Sequence, residues 1–306
     1  MKTKSVFLRG TADGYLRVLT HEPESGDVDR VVLVLHGMGE HAERYTPFAS
    51  YMTAQGMAVI VHDHRKHGKS IQLGEEVGIL GKNDLLDAMV DDVSVVVDYI
   101  KSRHPEKPIA LLGHSMGSVI ARMYLTQADD AIDKVVLSGT LPRYGKPYIK
   151  LMRALALISG VWVPQHKRHR FLAVKMNAGL IKKIPEPDTP LDWLTRDADI
   201  VKGYIDDPLC GFAYNKRFYR SFFKLIDRVN RPDTIRKTKP VPMLLISGSH
   251  DPLNDKASAL ESVGESYKRY ADLDVMLESV EGARHEVLNE FKREETYALI
   301  NEWLTI

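Results

Sequence analysis

A chain of 306 residues, 44% hydrophobic and 27% charged, can build a substantial core and is ordinary for a soluble globular protein. A formal net charge of +1 gives it no nucleic-acid footprint, and a single cysteine, Cys210, excludes an internal disulfide framework. No stretch reaches the roughly 18 apolar residues of a membrane span and no apolar run of signal-peptide length follows Met1, so the sequence predicts a cytoplasmic protein.

Along the chain, residues 31–35 are continuously apolar, mostly β-branched and stopped by glycine, which reads as a strand buried on both faces. Residues 58–61, 109–112, 135–137 and 243–246 read the same way, and 273–280 as a last strand. Between them, Leu86, Met89, Val93, Val96, Val97 and Ile100 recur at helical spacing, with Asp87, Asp91, Asp92 and Asp98 on other faces and Pro105 beyond the end. Strands alternating with helices predict an α/β fold: a mostly parallel central sheet flanked by helices. The alternation stops after Ser138 and resumes at Val241. The sequence therefore predicts a core of residues 1–139 and 236–306, with 140–235 inserted between the sheet halves as a helical cap. From Lys134 to Pro185 there are eleven Lys or Arg and no Asp or Glu, including Lys167, Arg168 and Arg170. Such a cap either presents a solvated basic edge or contacts an anionic membrane surface peripherally.

Gly113-His114-Ser115-Met116-Gly117 follows one of these strands and precedes a helix-like stretch. This is G-x-S-x-G in the strand–turn–helix setting that lifts a serine hydroxyl clear of a sheet, so Ser115 is the candidate nucleophile. Acyl transfer also needs two donors aimed at the tetrahedral oxyanion. The residue after the nucleophile supplies one, here Met116 N–H, and the loop after an earlier strand supplies the other. In His36-Gly37-Met38-Gly39-Glu40-His41, glycines flank Met38 and allow close backbone approach, so Met38 N–H is the second candidate.

A serine hydroxyl needs a histidine to take its proton and a carboxylate to orient that histidine. With this nucleophile motif the chain order runs Ser, acid, His. His285, in the loop after the last predicted strand, is the candidate base. Asp251, just past the strand at 243–246, is the candidate acid, with Asp255 its nearest competitor.

Five blocks together resemble the monoacylglycerol lipase and lysophospholipase-like branch of the α/β hydrolases, which includes serine aminopeptidase-like members. They are HGMGEHAERY at 36–45, HDHRKHGKS at 62–70, GHSMG at 113–117, GSHDPL at 248–253 and EGARHEVLNE at 281–290. The resemblance implies a triad of Ser115, Asp251 and His285, oxyanion donors at Met38 and Met116, and a cap that covers the site and forms an acyl tunnel. Leu151, Leu155, Trp162, Phe212 and Phe218 are the expected substrate contacts. The implied activity is hydrolysis of a mono-acyl lipid ester, monoacylglycerol or lysophospholipid, with no metal or organic cofactor. His62, Asp63, His64 and His67 do not supply a recognised zinc spacing, and the resemblance places them in a loop below the cap. A dehalogenase or epoxide hydrolase would need Asp in place of Ser115. A peptidase, or a binding protein retaining the fold, are the alternatives.

Overall fold

The computed structural model describes the whole chain except residues 13, 83–85, 128–129, 146, 148, 153, 155–162, 165 and 255–257. Its strands are β1 (Lys2–Arg9), β2 (Tyr15–Glu22), β3 (Arg30–Leu35), β4 (Met57–His62), β5 (Ile109–His114), β6 (Lys134–Ser138), β7 (Met243–Gly248) and β8 (Val275–Val280). The helices are α1 (Thr46–Ala54), α2 (Leu86–Arg103), α3 (Met116–Tyr124), α4 (Arg170–Ile181), α5 (Ala198–Asp206), α6 (Lys216–Val229), α7 (Pro232–Ile235), α8 (Ser258–Ala271) and α9 (Arg293–Thr305).

One sheet takes all eight strands in the order β1-β2-β4-β3-β5-β6-β7-β8. β1 and β2 pair antiparallel with each other, and β2 antiparallel with β4; every other pairing is parallel. The continuous apolar runs are explained by burial of both faces. Val31, Leu33 and Leu35 enter one core with α2, α3 and α8, while Val32 and Val34 enter the other with α1 and α9. Side chains alternate across a strand, so a run that feeds two cores has no polar side to show.

The helix predicted from residue 86 is α2, which ends at Arg103 ahead of Pro105. Asp92, expected on a face other than the apolar one, is buried there: its carboxylate takes Arg65 and the N–H of Thr11 at 2.9 Å. Between β6 and β7 the described elements are all helical. Asp197 and Asn215 cap α5 and α6 by accepting backbone N–H groups of their first turns. The α6 stripe of Phe218, Phe222, Leu225, Ile226 and Val229 packs into the core against α2 and α3. Among the described residues, no helix is long and apolar enough to cross a membrane.

Candidate active site

The turn between β5 and α3 places Ser115 at φ 50° and ψ −114°, a left-handed conformation rare for a residue with a Cβ. Two glycines make that turn possible. A Cβ on Gly113 would lie 2.6 Å from the Gly117 carbonyl oxygen, and one on Gly117 would overlap the carbonyl of Leu35. The Ser115 N–H donates to Ser138 O at 2.9 Å, tying the turn to the end of β6. Ser118 is buried one turn on, and its hydroxyl donates to Ser115 O at 2.6 Å.

Met116 is the first residue of α3, so its N–H is among those with no partner inside the helix. Met38 lies in the loop after β3, between Gly37 and Gly39, and all three border the same cavity as Ser115. Glu40 folds back within this loop, accepting the Gly37 N–H and the Tyr45 hydroxyl, the latter at 2.9 Å.

His285 follows β8 and Asp251 follows β7, both buried at the C-terminal edge of the sheet. His285 Nδ1 lies 2.8 Å from Asp251 Oδ2. The remaining capacity of Asp251 is met by the Leu253 N–H at 2.9 Å and the Ser247 hydroxyl at 3.1 Å. Burial alone would raise this carboxyl, but the imidazole and these donors hold it below the ordinary aspartate range. Burial likewise works to depress His285, and Asp251, with Glu286 and Glu40 beyond it, outweighs that and holds the imidazole above its ordinary value. With Nδ1 committed to Asp251, His285 Nε2 has no hydrogen-bond partner among the described residues. Ser115 and His285 border one cavity of about 80 Å³.

A family model described as serine aminopeptidase, S33, matches residues 26–292. The chain belongs to this hydrolase family. It is 28% identical to mouse monoglyceride lipase over 296 residues, 96% of this chain and 88% of that one. It is 26% identical to the monoacylglycerol lipase of Mycolicibacterium smegmatis over 275 residues, 90% of this chain and 87% of the other. A carboxyl esterase from Bacillus coagulans superposes at TM-score 0.89 with 23% identity, covering 100% of this chain and 98% of that one, which shows the α/β-hydrolase fold.

In this S33 hydrolase the helical segment between β6 and β7, the expected cap, supplies further cavity wall through Met176 of α4, Trp193, Leu194, Tyr204 of α5 and Phe212. Of the expected substrate contacts that lie among the described residues, Phe212 borders this cavity and Leu151 and Phe218 do not. Leu151 is 56% exposed, and Phe218 is wholly buried with its ring stacked 3.6 Å from Tyr214. Both expectations are corrected for one reason: apolarity alone does not separate a cavity wall from a solvent face or a core. Leu155 and Trp162, like Asp255, fall outside the described residues. A second, mostly apolar cavity of about 550 Å³ adjoins the first and shares Met176 with it. Met152, Phe171, Leu180 and Leu253 line it, and Lys175 and Lys183 border it.

A buried ion triad went unread in the sequence. The Arg44 guanidinium donates to Glu286 through two bonds of 2.8 and 2.6 Å and also to Glu40. Burial works to raise the Glu286 carboxyl, yet Arg44 brings it down to about 2. The triad joins the Met38 loop to the His285 loop. Its one sequence signal was the i,i+4 spacing of Glu40 and Arg44 inside HGMGEHAERY. The cap holds the same two loops. Glu286 N–H donates to Leu194 O at 2.7 Å, while the Tyr204 hydroxyl and Gly211 N–H both donate to Gly39 O, at 2.7 and 2.9 Å. His67, predicted below the cap, has its Nε2 2.6 Å from the Tyr214 hydroxyl.

Proposed function

We propose that this chain hydrolyses mono-acyl lipid esters through an acyl-enzyme on Ser115. The observation that carries the reading is the orphaned Nε2 of His285, fixed from behind by Asp251 and bordering the cavity that also holds Ser115. Ser115 Oγ attacks the ester carbonyl while His285 Nε2 takes its proton, and Asp251 holds the tautomer and stabilises the imidazolium. The N–H groups of Met38 and Met116 receive the oxyanion. His285 then protonates the leaving alcohol, and water repeats the sequence to release the acid.

Cavity sizes support a lipid substrate. About 80 Å³ beside Ser115 suits a small head group and not a fatty chain, whereas the adjoining 550 Å³ apolar cavity suits the chain. Met176, common to both, stands where the chain would pass. The acids that border the catalytic cavity, Glu40 and Glu286, are already engaged by Arg44, which disfavours their use as an amine-binding pair for a peptide N-terminus. The family's aminopeptidase description therefore transfers less well than the lipase one.

The cap's outer face supports peripheral contact with anionic lipid. Phe171 and Val174 project from α4 at 58% and 64% exposure, with Lys167, Arg170 and Lys175 exposed around them. Arg168, expected in this cluster, turns inward to Val77 O at 3.2 Å.

The test is Ser115→Ala, assayed on monoacylglycerols, lysophospholipids, p-nitrophenyl esters and amino-acid arylamides. Turnover of the preferred ester should fall by about 10⁴–10⁶ with the fold intact, and fluorophosphonate labelling should vanish. Near-normal turnover refutes the nucleophile, and faster arylamide than ester hydrolysis refutes the substrate class.

A further inference from the structure

The contact between cap and core contains a set of donors that ester hydrolysis does not use. His41, in the loop after β3, points Nε2 at Asp207 Oδ2, 2.8 Å away, just past the end of α5. Asp207 then turns back on itself: Cys210 N–H donates to Asp207 O at 3.0 Å, bringing the thiol beside the carboxylate. The three ligand-type atoms, an imidazole nitrogen, a carboxylate oxygen and Sγ, lie within 4.8 Å of one another. Among the described residues this is the one group of its kind.

Two features distinguish it from a chance cluster. Cys210 is 8% exposed and, among the described residues, its thiol has no hydrogen-bond partner, so a buried polarisable atom lies within 4.8 Å of the His41–Asp207 pair. The Asp207 carboxylate is also oriented from behind, since its other oxygen accepts the Leu209 N–H at 2.8 Å, as metal-bound carboxylates commonly are. Its side chain stays 31% exposed, so the carboxylate of this otherwise buried group is in touch with solvent.

We propose that His41, Asp207 and Cys210 are three ligands of a zinc-class divalent ion, with water as the fourth. Nitrogen, oxygen and sulfur donors together are a zinc set, and a tetrahedral ion spaces them by about 3.3–3.8 Å. The His41–Asp207 bond opens slightly and Sγ closes in to reach that spacing. Binding releases the thiol proton to solvent, so one thiolate and one carboxylate balance the two charges of the ion. Nearby Arg44 does not oppose the ion, because Glu40 and Glu286 outweigh its single charge. His41 belongs to the Met38 loop and the other two ligands to the cap. The bound ion therefore reinforces the clasp that Tyr204 and Gly211 make on Gly39 and holds the cap closed.

The site is tested by direct binding to the reduced full chain, independently of turnover, so its failure would leave the esterase reading untouched. Zinc titrated against a chromophoric chelator should fill one site per chain, weakened about 100-fold or more by Cys210→Ser and by His41→Gln. Both variants are first compared with the parent by circular dichroism and thermal midpoint without metal. Cobalt should give a thiolate-to-metal charge-transfer band with the parent and none with Cys210→Ser. Zinc bound equally well by Cys210→Ser, or a cobalt complex of the parent lacking that band, overturns the proposal.

Discussion

Acid should unfold this protein through a group of histidines beneath the cap, and His62→Leu isolates one of them. His36, His62, His64 and His67 are buried together, with ring centroids 4.2 Å apart for the closest pair. Burial lowers all four, His62 and His67 to about 4 from 6.5, and His36 and His64 well below their ordinary value. Each folded value lies below the unfolded one, so the unfolded chain binds more protons. The stability of the neutral rings is complete above 6.5 and is lost as the pH falls toward 4. One ring moving between these values loses about 3.4 kcal/mol below both of them, of which about 2 kcal/mol is gone by pH 5. His62 and His67 together lose about 4 kcal/mol by pH 5, against a total stability of about 5–15 kcal/mol for an ordinary domain. His285, held above its ordinary value, works in the opposite sense and offsets part of this. Among the described residues both ring nitrogens of His62 lack partners, so Leu there sacrifices no hydrogen bond to them. Urea unfolding at constant ionic strength should show His62→Leu as stable as the parent at pH 8, with its loss between pH 8 and 5 smaller by about 2 kcal/mol. Stability curves that run parallel for parent and variant would refute the reasoning.

Asp251→Asn should lower kcat by about 10⁴ while leaving the fold intact, because an amide cannot hold His285 in the required tautomer; a loss under tenfold would move the acid elsewhere. In the parent, kcat/KM should fall on the acid side with a midpoint above 6.5, since the base must be neutral and His285 is held above its ordinary value. Arg44→Ala strands Glu40 and Glu286 in the interior and should cost about 3–5 kcal/mol, read as a lowered thermal midpoint at pH 7. A gap between variant and parent midpoints that narrows at pH 5, where the carboxyls can protonate, would support the cause; a gap of the same size at pH 5 and pH 7 would remove it. Gly117→Ala should yield no folded protein, because the new methyl meets the Leu35 carbonyl, and a soluble, fluorophosphonate-reactive variant would contradict that close approach.

What the sequence revealed depended on how far each signal reached along the chain. The parallel strands were visible because burial on two faces leaves an uninterrupted apolar run, as in β3 and β4. β1 and β2 were not. β1 is an exposed edge whose lysines interrupt its pattern, and β2 buries Arg17, which only partners elsewhere make tolerable: the Ser5 hydroxyl at 3.0 Å and Glu43 at 2.9 Å. Ser115, Asp251 and His285 could be singled out as candidates because each sits in a turn directly after a recognisable strand. The Arg44–Glu286 pair was not, since its members are 242 residues apart and nothing in the local pattern around either one points to the other. The cavity wall was the least legible part, because Phe218 and Phe212 are the same residue type six positions apart with opposite fates.

The cap does not merely sit above the reacting groups. Its backbone at Trp193 and Leu194 accepts the N–H groups of His285 and Glu286, at 3.4 and 2.7 Å, so one stretch of chain both walls the cavity and seats His285, the proposed base. Lineages that diversify by exchanging caps would have to splice on either side of residues 193–194 or reinvent that seat. Swaps confined to α4 could alter the accepted chain and spare the chemistry, whereas wholesale replacement between β6 and β7 would exchange specificity and proton transfer together.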